Sequence, residues 1–241
     1  MTARPRSALA GALAAALLLA AGPARAEKMD DQLFTLFKID ELEHRWQKGE
    51  DIVTWDGQFR IGNDDHKLAL KSEGEYVPDA DRFHGAEIQA LYLRRISDFF
   101  DAQIGVRQDL EPRPTRAYGV IGASGLAPQW FEVDANLFIS ERGHASARLE
   151  AEYDVLLTQR LVLEASGELD AAFADDRAAG IGGGLSSVEL GLRLRYEIER
   201  EFAPYIGINW ERKLGRTADL ARADGEEAGA FALVVGLRLW F

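Results

Sequence analysis

Ser187 to Glu199 reads SVELGLRLRYEIE. Val188, Leu190, Leu192, Leu194, Tyr196 and Ile198 occupy one parity, and Glu189, Gly191, Arg193, Arg195, Glu197 and Glu199 the other. A helix turns about 100° per residue and would scatter both sets around its axis, whereas a strand sends alternate side chains to opposite faces. The stretch therefore predicts a long strand with one apolar and one charged face.

The same alternation recurs along the chain. Val53, Trp55, Gly57, Phe59 and Ile61 alternate with Thr54, Asp56, Gln58 and Arg60. Phe100, Ala102, Ile104 and Val106 alternate with Asp101, Gln103, Gly105 and Arg107, and Phe131, Val133, Ala135, Leu137 and Ile139 with Trp130, Glu132, Asp134, Asn136 and Phe138. Ala145 to Leu157 is rich in Ala, Leu and Glu and also fits a helical stripe, but Arg148, Glu150, Glu152 and Asp154 share one parity, which favours a strand. Tyr118 to Gly125 is too glycine-rich to phase, and Leu33 to His44 has no settled phase. Turn signals divide the chain into about twelve strands. Even-numbered strands end in tight turns such as Ser97-Asp98, Thr158-Gln159 and Arg200-Glu201. Odd-numbered strands lead into longer polar loops, near Val77–Arg82, Leu110–Arg116, Ala174–Gly183 and Leu214–Glu227.

Export is written at the start of the chain. Arg4 and Arg6 precede an apolar run from Ala8 to Ala21, and Ala24-Arg25-Ala26 has the small-x-small form of a cleavage site. The expected organisation is a signal peptide over 1–26, a short periplasmic segment over 27–31 and one β-domain over 32–241. Loss of Arg4, Arg6 and Arg25 takes the net charge from -12 to -15. That charge excludes nucleic acid as a partner, since phosphate binding needs a basic face. The absence of Cys excludes disulfides, thiolate metal sites and thiol nucleophiles.

An exported alternating chain is either a soluble sandwich or a membrane barrel. The apolar parity holds many Ala and Gly residues, thin for a packed core but sufficient against lipid. Tyr92, Phe100, Phe131, Tyr196 and Phe241 collect at the expected periplasmic strand ends, as an interfacial aromatic girdle would. Phe231, Leu233, Val235, Leu237, Leu239 and Phe241 share one parity, and so apolar an exposed edge would aggregate in water. The expectation is an all-β, transmembrane, antiparallel up-and-down β-barrel of about twelve strands in the outer membrane, with lipid as its surrounding partner.

The inward parity is then heavily charged, from Asp56, Lys71, Glu73 and Glu87 through Arg107, Asp134, Arg148, Glu150 and Glu152 to Glu164, Arg193, Arg195 and Arg238. Opposed side chains can bridge a barrel this narrow. Such a lumen is either a salt-bridged plug or, because carboxylates are in excess, a cation path. His44, His84 and His144 fall near outer strand ends, with His66 near the periplasmic end. Rim imidazoles would suit a divalent metal such as Cu(II) or Zn(II), and His44, His84 and His144 are the candidate metal ligands. Ser140 beside His144 is the one local pair reminiscent of a hydrolase, without a nucleophile elbow or zincin helix, so a non-enzymatic protein is expected.

Three blocks resemble the copper resistance protein B family of outer-membrane proteins: Gly125 to Leu163, GLAPQWFEVDANLFISERGHASARLEAEYDVLLTQRLVL; Gly184 to Gly215, GLSSVELGLRLRYEIEREFAPYIGINWERKLG; and Gly236 to Phe241, GLRLWF. The terminal Phe is similar to the assembly signal of outer-membrane barrels. The resemblance implies a barrel acting in copper binding, tolerance and homeostasis, with copper as its ion and a periplasmic multicopper oxidase or other periplasmic copper protein as a partner. Members of that family often carry a Met- and His-rich segment before the barrel. Here that place is taken by Glu27 to Asp31, with Met29 its sole soft ligand. A copper role would therefore rest on the barrel, its rim histidines or a partner.

Overall fold

The computed structural model describes residues 32–113 and 115–241. The expected signal peptide and the 27–31 segment lie outside the described residues. Twelve antiparallel strands close into one barrel, each paired with its sequence neighbours and the first with the last. They are β1 (Phe34–Gln47), β2 (Ile52–Gly62), β3 (His66–Val77), β4 (Arg82–Arg95), β5 (Phe100–Glu111) and β6 (Arg116–Ala127), then β7 (Phe131–Ser140), β8 (Ala145–Leu156), β9 (Leu161–Ala172), β10 (Gly184–Tyr196), β11 (Phe202–Lys213) and β12 (Gly229–Trp240). The seam is made by β1 and β12, where Lys38 faces Trp240 and Gln47 faces Ala232. Phe37 and Phe241 exchange backbone hydrogen bonds of 2.9 and 2.8 Å at its inner end. No sheet edge remains to be covered.

The burial pattern is that of a soluble protein turned inside out. On β10, Leu190 and Leu192 are 50% and 40% exposed, while Arg193 and Arg195 are 2% and 5% exposed. Leu68, Ile104, Ile121, Ile206 and Leu233 likewise face outward on five other strands. Such a surface is stable only in contact with acyl chains. Tyr92, Phe131, Tyr196 and Phe241 are exposed at the inner strand ends as expected, with Phe100 half-buried. A second ring at the outer ends, formed by Trp46, Phe83, Phe173 and Phe231, completes the two interfacial girdles.

Three expectations are corrected. β10 stops at Tyr196 rather than Glu199. The ladder ends with Glu197 N–H donating to Arg160, and Glu199 and Phe202 then close their own tight turn. The outer loops near Val77–Arg82 and Leu110–Arg116 are shorter than their polarity suggests, because pairing runs on to Val77–Arg82 and Asp109–Arg116. The loop expected over Leu214–Glu227 contains a helix, α1 (Gly215–Ala223). Its sequence GRTADLARA is mostly good helix formers, and it buries Thr217, Ala218 and Ala221.

The unsettled phase of β1 has a physical cause. Pairing with β2 shifts register between Ile39 and Glu41, a bulge that leaves Asp40 and Glu41 both on the lumen side. Alternation read through that point fails by one residue.

Gly236 on β12 is where the wall needs its glycine. It faces Tyr205 of β11, and a Cβ at Gly236 would collide with the Tyr205 ring. That ring is buried and its hydroxyl donates to Glu43 at 2.9 Å. Gly236→Val should therefore displace the ring, break this bond and destabilise the barrel by about 1–3 kcal/mol. Urea unfolding of the protein reconstituted in lipid vesicles measures the loss, and an unchanged midpoint would contradict the packing described.

Candidate functional site: the charged lumen

Inward-facing strand positions carry the charges, and the barrel brings them within bonding reach of one another. One wall is built by β1, β10 and β11. Arg45 contacts Glu43 at 2.7 Å, Glu189 at 2.9 Å and Glu41 at 3.3 Å, and Arg193 contacts Glu41 at 2.6 Å and Glu43 at 3.0 Å. The Glu43 side chain is fully buried, so its charge is tolerable only with these guanidinium partners and the Tyr205 hydroxyl. Across the lumen, Arg148 reaches Glu73 at 3.0 Å, Glu168 and Asp170 at 3.3 Å and Glu87 at 3.6 Å. Arg107 pairs with Glu87 and Asp109 at 2.6 Å, and its guanidinium lies over the Phe138 ring at 4.9 Å. Nearer the periplasmic end, Lys71 holds Asp134 at 2.7 Å and Lys67 holds Asp101 at 2.8 Å. There Arg195 pairs with Glu164, and Arg238 bridges Glu164 at 3.0 Å and Asp40 at 3.3 Å.

Two cavities remain inside this network. The outer one has a volume of about 880 Å³ and the inner one about 550 Å³. Both are lined by more carboxylates than cations, and they share Asp56, Glu150, Ala151 and Glu152 as lining. The β9–β10 and β11–β12 loops fold over the outer cavity, contributing Arg177, Ile181, Thr217 and Ala221. They are tied together by Gly182 N–H donating to Thr217 Oγ1 at 3.0 Å and by Arg216–Asp175 at 2.7 Å. Buried Asp176 fixes the first loop to the β6 wall through Arg116. Glu226, in the second loop, accepts a hydrogen bond from Lys213 at 2.7 Å, which holds its carboxyl below the usual carboxylate range.

The three candidate rim histidines are not brought together. His44 lies on β1 between inward Glu43 and Arg45, on the opposite parity, beside the exposed Trp46 ring; its Nε2 is 3.5 Å from Asp51. His84 lies on β4, lines the outer cavity and has Nδ1 3.6 Å from Glu75. His144 sits in the β7–β8 turn with Nδ1 3.2 Å from Asp176. Each thus has one carboxylate neighbour; β4 stands about a quarter of the barrel from β1 and from the β7–β8 turn, and that turn is nearly half-way round from β1. Among the described residues no group of three His, Cys, Asp or Glu is arranged to hold a metal. At the periplasmic end, His66 Nδ1 is 2.5 Å from the Tyr92 hydroxyl. The hydrolase-like pair does not form through side chains: Ser140 Oγ accepts from the backbone N–H of His144, whose ring turns to Asp176.

Sequence reading missed part of the site. Lys38, Asp40, Glu41, Glu43 and Arg45 escaped because the bulge broke the alternation of β1. Thr54 and Gln58 escaped a census of charges because they are neutral. Their parity, shared with Asp56, was the signal that they face the lumen.

Comparison with known proteins agrees with this architecture. A family model described as copper resistance protein B precursor (CopB) matches residues 33–241. A copper resistance protein B homolog of Pseudomonas syringae pv. tomato is 44% identical over 214 residues, 88% of this chain and 71% of that protein. Copper resistance protein B of Escherichia coli is 41% identical over the same coverage. Among solved structures, the KdgM porin superposes with a TM-score of 0.54 at 14% identity, covering 85% of this chain and 99% of that one. The NanC porin gives 0.54 at 11% identity, covering 84% and 98%. These two share the barrel fold. With a family match over the whole barrel and two relatives above 40% identity, this chain belongs to the copper resistance protein B family.

Proposed function

We propose that this protein is a non-enzymatic outer-membrane barrel that serves copper resistance and homeostasis by admitting copper ions, as cargo, to its acidic lumen. The observation that carries this reading is an excess of carboxylates lining both lumen cavities in a chain of this family. An acidic, low-dielectric conduit concentrates cations and repels anions. Lipid surrounds the barrel, and a periplasmic multicopper oxidase or other periplasmic copper protein is the natural recipient or donor at its inner mouth. A second reading is a narrow cation channel or structural barrel without copper preference. It is favoured by the dense pairing around Arg148 and Arg193, which fills much of the lumen with mutually neutralised charge.

A strain lacking the protein is expected to stop growing at a lower copper concentration than its parent, with growth restored by the wild-type gene. Equal copper tolerance with and without the protein would contradict the copper reading and leave the general channel. The rim histidines are tested separately, by titrating purified barrel with Cu(II). Because His44, His84 and His144 stand apart, replacing all three by Ala should remove only weak, independent sites. Identical isotherms for wild type and the triple variant would discard those residues as copper ligands.

A further inference from the structure

Most lumen charges are paired, and of the buried polar atoms left without a hydrogen-bond partner among the described residues three lie on β2: Thr54 Oγ1, Gln58 Oε1 and Arg60 Nε. On β2, Thr54, Asp56 and Gln58 point inward one above the next. Thr54 lines the outer cavity, Gln58 the inner cavity, and Asp56 both. Thr54 is 4% exposed and its Oγ1 has no hydrogen-bond partner; the Oε1 of Gln58 is likewise buried and unpartnered. Asp56 makes no hydrogen bond and no ion pair within 4 Å among the described residues. A buried acceptor left unpaired is costly, so the Thr54 and Gln58 oxygens, with the half-buried Asp56 carboxylate between them, are an expensive feature to retain without a ligand.

The opposite wall matches this column. β8 stands six strands from β2 around a ring of twelve, diametrically across the lumen. Its Glu150 and Glu152 also line both cavities. Glu152 has no ion pair within 4 Å among the described residues, and the one such pair of Glu150 is with Arg148 at 3.9 Å, while Lys71, held by Asp134, is its other cationic neighbour. The place where the two cavities meet is therefore bounded by carboxylates on facing walls, with a ladder of free oxygen acceptors leading through it. Below the ladder, Arg60 continues the inward parity of β2 and lines the inner cavity, a fixed positive charge that discourages a cation from resting at the exit.

We propose that Thr54, Asp56 and Gln58, facing Glu150 and Glu152, form the selectivity constriction of a cation path, and that copper crosses it in the divalent state. The first half stands on the lumen alone; the second rests on the copper reading above. The oxidation state follows from the donors. Cu(I) selects thiolate and thioether, whereas oxygen donors suit harder divalent ions. The chain has no Cys, and its two Met residues, Met1 and Met29, precede the barrel, so residues 32–241 contain no sulfur. None of the four histidines lines the constriction; His84 reaches only the outer cavity.

The test uses full-length protein in planar bilayers under a KCl gradient, and in vesicles loaded with a metal-sensitive dye. Wild type should conduct with K⁺ preferred over Cl⁻, and should pass Cu(II) faster than Ag(I), a redox-stable soft monovalent probe. Asp56→Asn and Glu152→Gln should each pull the K⁺/Cl⁻ permeability ratio toward unity, while Glu141→Gln, in an exposed outer turn, leaves it unchanged. The two test substitutions lie on opposite walls, so one remains informative if the other fails to fold. A closed wild-type barrel, or undiminished selectivity in both variants, would overturn the constriction. Ag(I) passing as fast as Cu(II) would overturn the divalent assignment. Selectivity behaving as expected in a protein whose loss leaves copper tolerance unchanged would instead refute the copper reading and keep the constriction.

Discussion

Every backbone N–H and C=O inside a hydrocarbon layer must find a partner within the protein, and for strands this is possible only in a closed ring. The β1–β12 seam meets that condition, and the rest of the molecule follows from it. Closure divides each strand into a lipid face and a lumen face, which is why leucines are exposed and arginines buried along β10. It also forces the polar residues of all twelve strands into one narrow space. Charges that would be solvated on a soluble protein must neutralise one another across the lumen.

The resulting network is a consequence of confinement more than a source of stability. Taking ions out of water is costly, and pairing offsets that cost without turning it into a large gain. Arg148 is the clearest case: one guanidinium serves carboxylates on β3, β4 and β9, holding walls together that share no backbone bond with its own strand except at β9. Against this background Asp56 and Glu152, carboxylates without an ion pair among the described residues, stand where the outer and inner cavities meet. The loops that cover the outer mouth obey the same rule, with Asp176 buried against Arg116 and the β9–β10 and β11–β12 loops joined through Thr217.

Much of this was legible in the chain because a period of two is hard to disguise over a dozen residues. The strand faces of β2, β5, β7, β8 and β10 and the ring of inward charges were readable for that reason. β1 was not, since one bulged residue at Asp40–Glu41 inverts the parity and hides five lumen charges. Helix α1 carried a readable signal in its Ala, Leu and Arg content, but polarity between two strands reads first as loop. The rim histidines show the limit of spacing arguments: three residues at strand ends share a level, yet nothing in alternation says how far around the ring they lie. Which polar residues lack partners is likewise invisible in sequence, because it depends on what the other strands of the ring place opposite them.

The inside-out barrel itself is most directly tested by a spin-label scan. The chain has no Cys, so single cysteines can be introduced at each position from Val188 to Tyr196, labelled, and the protein reconstituted in lipid vesicles. Accessibility to lipid-dissolved oxygen should peak at Val188, Leu190, Leu192, Leu194 and Tyr196 and fall at Glu189, Gly191, Arg193 and Arg195, with a period of two. Peaks on the charged parity, a helical period, or uniform exposure to a water-soluble relaxant would contradict a barrel with lipid outside and ionised side chains within.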